Sequence, residues 1–106
     1  MEFRSWMEER MRGRPLSEAE PHLRGTKVAI YRACVARVIT FKTMDYVTRS
    51  LRWAITHAQH TAAVEEEPAH VIRARVSAEQ VFEADNPGEY FYGGPEIRGS
   101  SVFSVT

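Results

Sequence analysis

Residues 27–62 read KVAIYRACVARVITFKTMDYVTRSLRWAITHAQHTA, and this stretch decides the fold. It opens on an apolar run of strand type, Lys27 to Ala33, and Val35 to Phe41 continues it with many β-branched residues. A turn at Thr43 to Asp45 then separates these residues from a second strand-like piece, Tyr46-Val47. The stretch therefore predicts two or three extended segments before the chain changes its periodicity.

The periodicity changes to that of a helix after Thr48 and Ser50, either of which can cap the helix N-terminus. Apolar residues then recur at helical spacing; they are Leu51, Ala54, Ile55, Ala58 and Ala62. The pattern predicts one central amphipathic helix that ends near Val64. Pro68 follows and blocks continuation of the helix.

The clearest strand of the chain is His70 to Val76, because apolar and polar positions alternate along it. The face that carries Ile72 is expected to point inward. Arg73 and Arg75 lie on the opposite face, which we expect to meet solvent or a groove.

The C-terminal third alternates turns with short apolar pieces. Ser77 to Gln80 has the pattern of a capping box, so we expect a short helical turn that carries Val81 and Phe82. A turn at Asp85 to Gly88 precedes an aromatic strand, Tyr90 to Tyr92, and a last strand is expected within residues 97–106.

The N-terminal segment is expected to form a short amphipathic helix, because Phe3, Trp6, Met7 and Met11 fall on one helical face. Residues 14–25 form a connector with a single possible helical turn at Ser17 to Glu20. The chain is therefore expected to be a single domain over residues 1–106, with the N-terminal helix and connector in 1–25 and the core in 27–106. Repeated βαβ units are absent from the sequence, so the predicted class is α+β with a small, mostly antiparallel sheet.

Composition limits the functions that this chain can have. Apolar residues make up 43% and charged residues 26%, which fits a globular fold and not a disordered segment. Fourteen Lys and Arg balance fourteen Asp and Glu, so direct nucleic-acid binding is not expected. The one cysteine excludes an intrachain disulfide, and no long apolar run predicts a membrane span. We expect a cytoplasmic protein that does not enter the membrane.

Few residue clusters suggest chemistry by their spacing alone. His57 and His60 could share a helical face, but no third ligand of known spacing follows, so no metal site is predicted. Cys34 lies in an apolar, strand-like context, where an inert buried thiol is the usual case. Phosphate loops of the GxGxxG or GxxxxGK type do not occur in the sequence.

Three short motifs nevertheless recur in a known order: Tyr31-Arg32, the strand Asp45-Tyr46-Val47-Thr48 that enters a helix, and Glu89-Tyr90-Phe91-Tyr92. Together they resemble the YR, (G)DxVT and EYxY strands of small ADP-ribosyltransferase-like domains in phage and mobile-element proteins. The resemblance covers roughly residues 27–92. Met44 stands where the family pattern has the glycine before Asp45.

The resemblance implies roles for four residues and one cofactor. Arg32 would match the arginine that orients NAD, Thr48 and Ser50 the hydroxyl strand beside the nicotinamide, and Glu89 the catalytic carboxylate. A guanidinium binds pyrophosphate in a bidentate manner, and a carboxylate stabilises a developing ribosyl cation. The implied function is modification or binding of a host protein in the host cytosol.

Two alternatives remain beside this interpretation. Arg32 could form a structural ion pair, Thr48 and Ser50 could cap the helix, and Glu89 could simply follow a turn. In that case the protein could be a non-catalytic inhibitor of a host defence complex, of the anti-CRISPR type, which acts by protein–protein binding.

Overall fold

The computed structural model describes residues 13–105. The helix predicted within residues 3–12 lies outside the described residues. The helices are α1 (Leu16–Ala19) and α2 (Leu51–Glu65), and short 3-10 turns cover Pro21–Leu23 and Ala78–Gln80. The strands are β1 (Lys27–Val35), β2 (Thr40–Phe41), β3 (Tyr46–Val47), β4 (Ala69–Ser77), β5 (Val81–Glu83), β6 (Tyr90–Tyr92), β7 (Ile97–Arg98) and β8 (Ser101–Ser104).

The longest pairing joins β1 and β4 as antiparallel neighbours, from Lys27↔Ser77 to Val35↔Ala69. β8 pairs with the other edge of β4. A second sheet has the order β3-β6-β5, and one bridge between Tyr31 and Thr48 connects it to β1. The two sheets therefore run almost continuously in the order β8-β4-β1-β3-β6-β5, with antiparallel pairing at each step.

Helix α2 connects β3 to β4 across β1. Both strands are antiparallel neighbours of β1, so they are parallel to each other, and the connection is a βαβ unit with one strand inserted between its ends. Ala54 and Ala58 of α2 are fully buried on the side of the helix that faces the sheet, where they pack with Ala69 and Val71 of β4. Small side chains at these positions let the helix lie close to the sheet.

The opposite face of β1 and β4 covers the larger core. Ile30 and Ile72 have no exposed surface, and they pack with Phe41, Tyr92 and Leu16 from elements elsewhere in the chain. Alternate residues of β1 thus serve two separate apolar clusters, one on each face of the sheet. This explains why β1 reads as a nearly continuous apolar run.

The structure confirms the predicted α+β class, the antiparallel sheets and the central amphipathic helix. No helix within residues 13–105 is long and apolar enough to cross a membrane.

Two local predictions were wrong. Of Val35 to Phe41, only Val35 at the end of β1 and Thr40–Phe41 are in strands, because the chain turns between them. Val81 and Phe82 do not extend a helix: the 3-10 turn ends at Gln80, and both residues pair with β6. Cross-strand pairing with Tyr92 and Phe91 therefore overrides the local helical signal.

Candidate functional site

A cleft of about 450 Å³ opens where β3 separates from β1. Tyr31 and Thr48 still pair through two backbone hydrogen bonds of 2.8 and 3.0 Å. The two residues before Thr48 pair instead with β6 and leave the edge of β1. The cleft is lined by Tyr31, Arg32, Ala33, Tyr46, Val47, Thr48, Trp53, Ala54, His57 and Glu89.

Three of the four residues predicted from the resemblance line this cleft, and they come from distant parts of the chain. Arg32 lies on β1, Thr48 lies between β3 and α2, and Glu89 directly precedes β6. Ser50 is not among the lining residues.

Arg32 belongs to the inner face of the sheet, since its cross-strand partner is the buried Ile72. Its Nη1 lies 3.2 Å from Asp45 Oδ2 and donates a hydrogen bond of 3.0 Å to the Thr40 carbonyl. The side chains of Arg32 and Asp45 are only 26% and 19% exposed. The guanidinium is therefore neutralised by a carboxylate and held in place from two sides.

Asp45 is itself fixed by a tight turn. Its Oδ2 accepts a hydrogen bond of 2.7 Å from the Lys42 N–H, and its own N–H donates to the Lys42 carbonyl at 3.0 Å. Met44, at the third position of this turn, has φ 79°. That conformation belongs to a type II turn and normally requires glycine. The backbone thus has the conformation that favours glycine at the position where the family pattern has one.

Thr48 and Ser50 order the start of α2. Ser50 Oγ accepts a hydrogen bond of 3.2 Å from the Trp53 N–H, and Thr48 Oγ1 accepts one of 3.2 Å from the Ser50 N–H. Both hydroxyls therefore stabilise the N-terminus of the helix. Thr48 also lines the cleft, where its hydroxyl hydrogen makes no hydrogen bond within the described part of the chain.

Glu89 is held at the start of β6 by the preceding turn. Its N–H donates to the Asn86 carbonyl at 3.1 Å, and its carbonyl accepts from the Ala84 N–H at 3.0 Å. Asn86 Nδ2 donates to Oε2 at 3.0 Å. The other carboxylate oxygen, Oε1, has no hydrogen-bond partner among residues 13–105, so it is available to a ligand.

Sequence reasoning missed the aromatic wall of the cleft. Trp53 and His57 lie one helical turn apart with ring centroids at 5.0 Å, and Trp53 is 49% exposed. Tyr46 packs against Phe91 at 4.4 Å and is 56% exposed. The i, i+4 spacing of Trp53 and His57, beside the buried Ala54 and Ala58 stripe, was the available signal.

The remaining candidate groups add no chemistry to the cleft. Cys34 is buried, and burial raises the pKa of its thiol above the usual value. Since the thiolate is the nucleophile, this environment disfavours reactivity. The described part of the chain holds no group of three or more His, Cys, Asp or Glu side chains placed to bind a metal ion.

Comparison of the chain with models of protein families, with curated proteins and with solved structures found no match.

Proposed function

We propose that the cleft binds NAD and that the protein is an ADP-ribosyltransferase-like protein that modifies a host protein. The observation that carries the proposal is the meeting of Arg32, Thr48 and Glu89 around one open cleft. These residues lie on three separate motifs whose order the resemblance connects with NAD chemistry. Helix capping or turn formation alone would not require them to share a cleft.

The side chains of the cleft suit a flat, positively charged ring. Trp53 and Tyr46 are exposed aromatic side chains beside the cleft, and an aromatic face attracts a cation that stacks on it. Glu89 supplies the one carboxylate among the described residues that line the cleft. The nicotinamide ring of NAD has this combination of planarity and positive charge.

Glu89 has the catalytic role in this proposal. The bond between the ribose and nicotinamide breaks, nicotinamide leaves with the bonding electrons, and an acceptor side chain attacks the ribose carbon and loses its proton. A fixed carboxylate stabilises the positive charge that develops on the ribose in the transition state. The free Oε1 of Glu89 provides that charge at a rigid strand start.

Arg32 has a supporting role. Its guanidinium already binds Asp45 and the Thr40 carbonyl, so it holds the wall of the cleft and the turn that contains Met44. Thr48 contributes a hydroxyl to the same wall, while Ser50 acts through the cap of α2.

The test is transfer of labelled ADP-ribose from NAD to proteins of a host-cell extract. We expect Glu89→Gln to reduce labelling by about 10²-fold or more, as when one preorganised stabilising group is removed. Glu96→Gln is the matched control, because Glu96 is an exposed glutamate that does not line the cleft. Equal labelling by wild type and Glu89→Gln, or no labelling by either, would contradict the transferase proposal.

A second candidate is a non-catalytic inhibitor that binds a host defence complex. The exposure of Trp53 and Tyr46 at one surface favours it, because Trp and Tyr are enriched among residues that dominate binding energy at interfaces. In that case Trp53→Ala would abolish inhibition of the host complex while Glu89→Gln would leave it intact. If instead Glu89→Gln abolished the biological activity and Trp53→Ala left it intact, the result would favour the enzyme.

A further inference from the structure

The face of the central sheet that carries α2 extends beyond the helix. Ala69 and Val71 of β4 are buried against α2, whereas Arg75, further along the same face, is exposed. Lys27 lies across from Ser77, at the end of this uncovered region, and is also exposed. The open part of the face thus presents Arg73, Arg75 and Lys27, which we call the basic face.

The three cations of the basic face have no acidic partner within the described residues. Arg14, Arg32, Arg37 and Arg49 each lie within ion-pair distance of a carboxylate. Within residues 13–105, no carboxylate oxygen lies within 4.0 Å of Arg73, Arg75 or Lys27. Three cations without an ion pair among residues 13–105 therefore share one face of the sheet in a chain of zero net charge.

Arg73 is the most informative of the three. Its Cζ lies 5.9 Å from the centroid of the Tyr31 ring, and its buried Nε has no hydrogen-bond partner. Within the described part of the chain, this Nε is the only buried side-chain nitrogen or oxygen that has no hydrogen-bond partner. A buried donor without an acceptor is unfavourable, and more so in a charged group. The guanidinium is thus held in place on a tyrosine ring without an anion to bind.

The basic face is continuous with the cleft through Tyr31. Tyr31 lines the cleft, pairs with Thr48 on one side and lies opposite Arg73 on the other. Neighbouring strands are about 4.8 Å apart, so the backbones at Thr48 and Arg73 are separated by about 10 Å. Helix α2 begins three residues after Thr48 and adds the positive end of its dipole beside the cleft.

We propose that the basic face binds the pyrophosphate of a nucleotide whose ring occupies the cleft, with Arg73 as the principal phosphate ligand. This proposal rests on the proposed function, but it assigns phosphate binding to Arg73 instead of Arg32. The resemblance gives phosphate binding to Arg32, whereas the guanidinium of Arg32 is neutralised by Asp45 on the opposite face of the sheet. Arg73 lies directly across from Tyr31 and makes no ion pair within residues 13–105.

The test uses calorimetric titrations at low salt with three probes: inorganic pyrophosphate, NAD and nicotinamide riboside, which lacks phosphate. We expect Arg73→Gln to weaken the binding of pyrophosphate and of NAD by about tenfold or more, the loss expected for a charge-assisted hydrogen bond. Nicotinamide riboside should bind equally to both proteins. Arg75→Gln, at an exposed position, should act in the same direction even if Arg73→Gln were poorly folded.

Arg98→Gln is the matched control, since Arg98 is an exposed arginine of β7 without an acidic partner among residues 13–105. Its binding of all three probes should equal that of wild type. The proposal is overturned if wild type does not bind pyrophosphate, or if Arg73→Gln and Arg75→Gln bind it as wild type does. Binding of pyrophosphate that depends on Arg73, together with no binding of nicotinamide riboside and no transfer from NAD, would support the anion site and reject the proposed transferase.

Discussion

Arg32 of β1 and Arg73 of β4 are almost cross-strand neighbours, yet their side chains lie on opposite faces of the sheet and have different partners. Arg32 lies opposite Ile72, and Arg73 lies opposite Tyr31, so a shift of one residue places the two guanidinium groups on different faces of the sheet. Arg32 has a carboxylate at 3.2 Å and a carbonyl at 3.0 Å. Arg73 has a tyrosine ring beside it and a buried Nε without an acceptor in the described part of the chain.

The comparison separates a structural arginine from one that can bind a ligand. An arginine whose hydrogen bonds and charge are satisfied within the fold contributes stability and has little left for a phosphate. An arginine with unsatisfied donors contributes less stability and gains more from an anion. The two residues should therefore respond differently to the same substitution.

The largest effect on stability is expected at Ala54, which lies on the side of α2 that packs against the sheet. Ala54→Asp places a carboxylate where the wild-type residue is 1% exposed, and an unpaired buried charge destabilises by several kcal/mol. Chemical denaturation should show an unfolded or strongly destabilised protein. Arg52→Ala, on the exposed side of α2, should change the free energy of unfolding by no more than about 0.5 kcal/mol. A wild-type midpoint for Ala54→Asp would show that α2 does not pack on the sheet.

Arg32→Gln should have the next largest effect. The change leaves the half-buried Asp45 without its cation and weakens the contact with the Thr40 carbonyl, which we expect to cost about 1–2 kcal/mol. Arg37→Gln is the control, because the Arg37–Glu67 pair is long at 3.5 Å and Arg37 is 74% exposed. Such exposed pairs contribute about 0–1 kcal/mol. If the two variants had the same unfolding midpoint, Arg32 would not have the structural role described here.

Arg73→Gln should hardly change stability. No side-chain hydrogen bond within the described residues is lost, and removal of the unsatisfied Nε offsets the loss of the contact with Tyr31, which is worth about 0.5–1 kcal/mol. Thermal unfolding should give a melting temperature within a few degrees of wild type. A loss as large as that of Arg32→Gln would erase the contrast between the two arginines.

The smallest effect is a pH dependence of stability at Glu79, whose carboxylate is bound by Ser77. The Ser77 hydroxyl and the Gly25 N–H donate hydrogen bonds to its carboxylate and lower its pKa below the usual value of a glutamate. A carboxylate with a lowered folded-state pKa adds stability above its unfolded pKa and loses it as pH falls through the folded value. Denaturation midpoints of wild type and Glu79→Gln should therefore differ near neutral pH and converge as pH falls through the lowered pKa of Glu79. If the midpoints of the two proteins differed by the same amount at lower pH, the lowered pKa of Glu79 would not be the cause of the difference.

Local patterns in the sequence predicted the main elements because those elements depend on local periodicity. The alternation around Ile72 identified β4, including the separate face of Arg73 and Arg75, and the helical spacing around Ala54 identified α2. The strand at Val81 was missed, because its partner Tyr92 is selected only by the tertiary fold. Local propensity gives little information about such pairings.

The candidate site was predicted only in part for the same reason. The motifs singled out Arg32, Thr48 and Glu89, and these residues do line one cleft. The cleft itself depends on where β3 leaves β1, and the state of Arg32 depends on Asp45, which is brought to it by a turn at Met44. The turn itself was predicted at Thr43 to Asp45, but its contact with Arg32 and the separation of β3 from β1 are tertiary features without a signature in the local pattern.

The most direct test of the central claim is the fluorescence of Trp53 during titration with NAD. Trp53 lines the cleft, and Trp6 is the other tryptophan of the chain, so a Trp6→Phe background isolates the signal. We predict a saturable change in Trp53 emission with one NAD bound per chain, because the nicotinamide ring would lie beside the indole. Trp53 emission that stays unchanged up to millimolar NAD, in a protein that remains folded, would contradict the account.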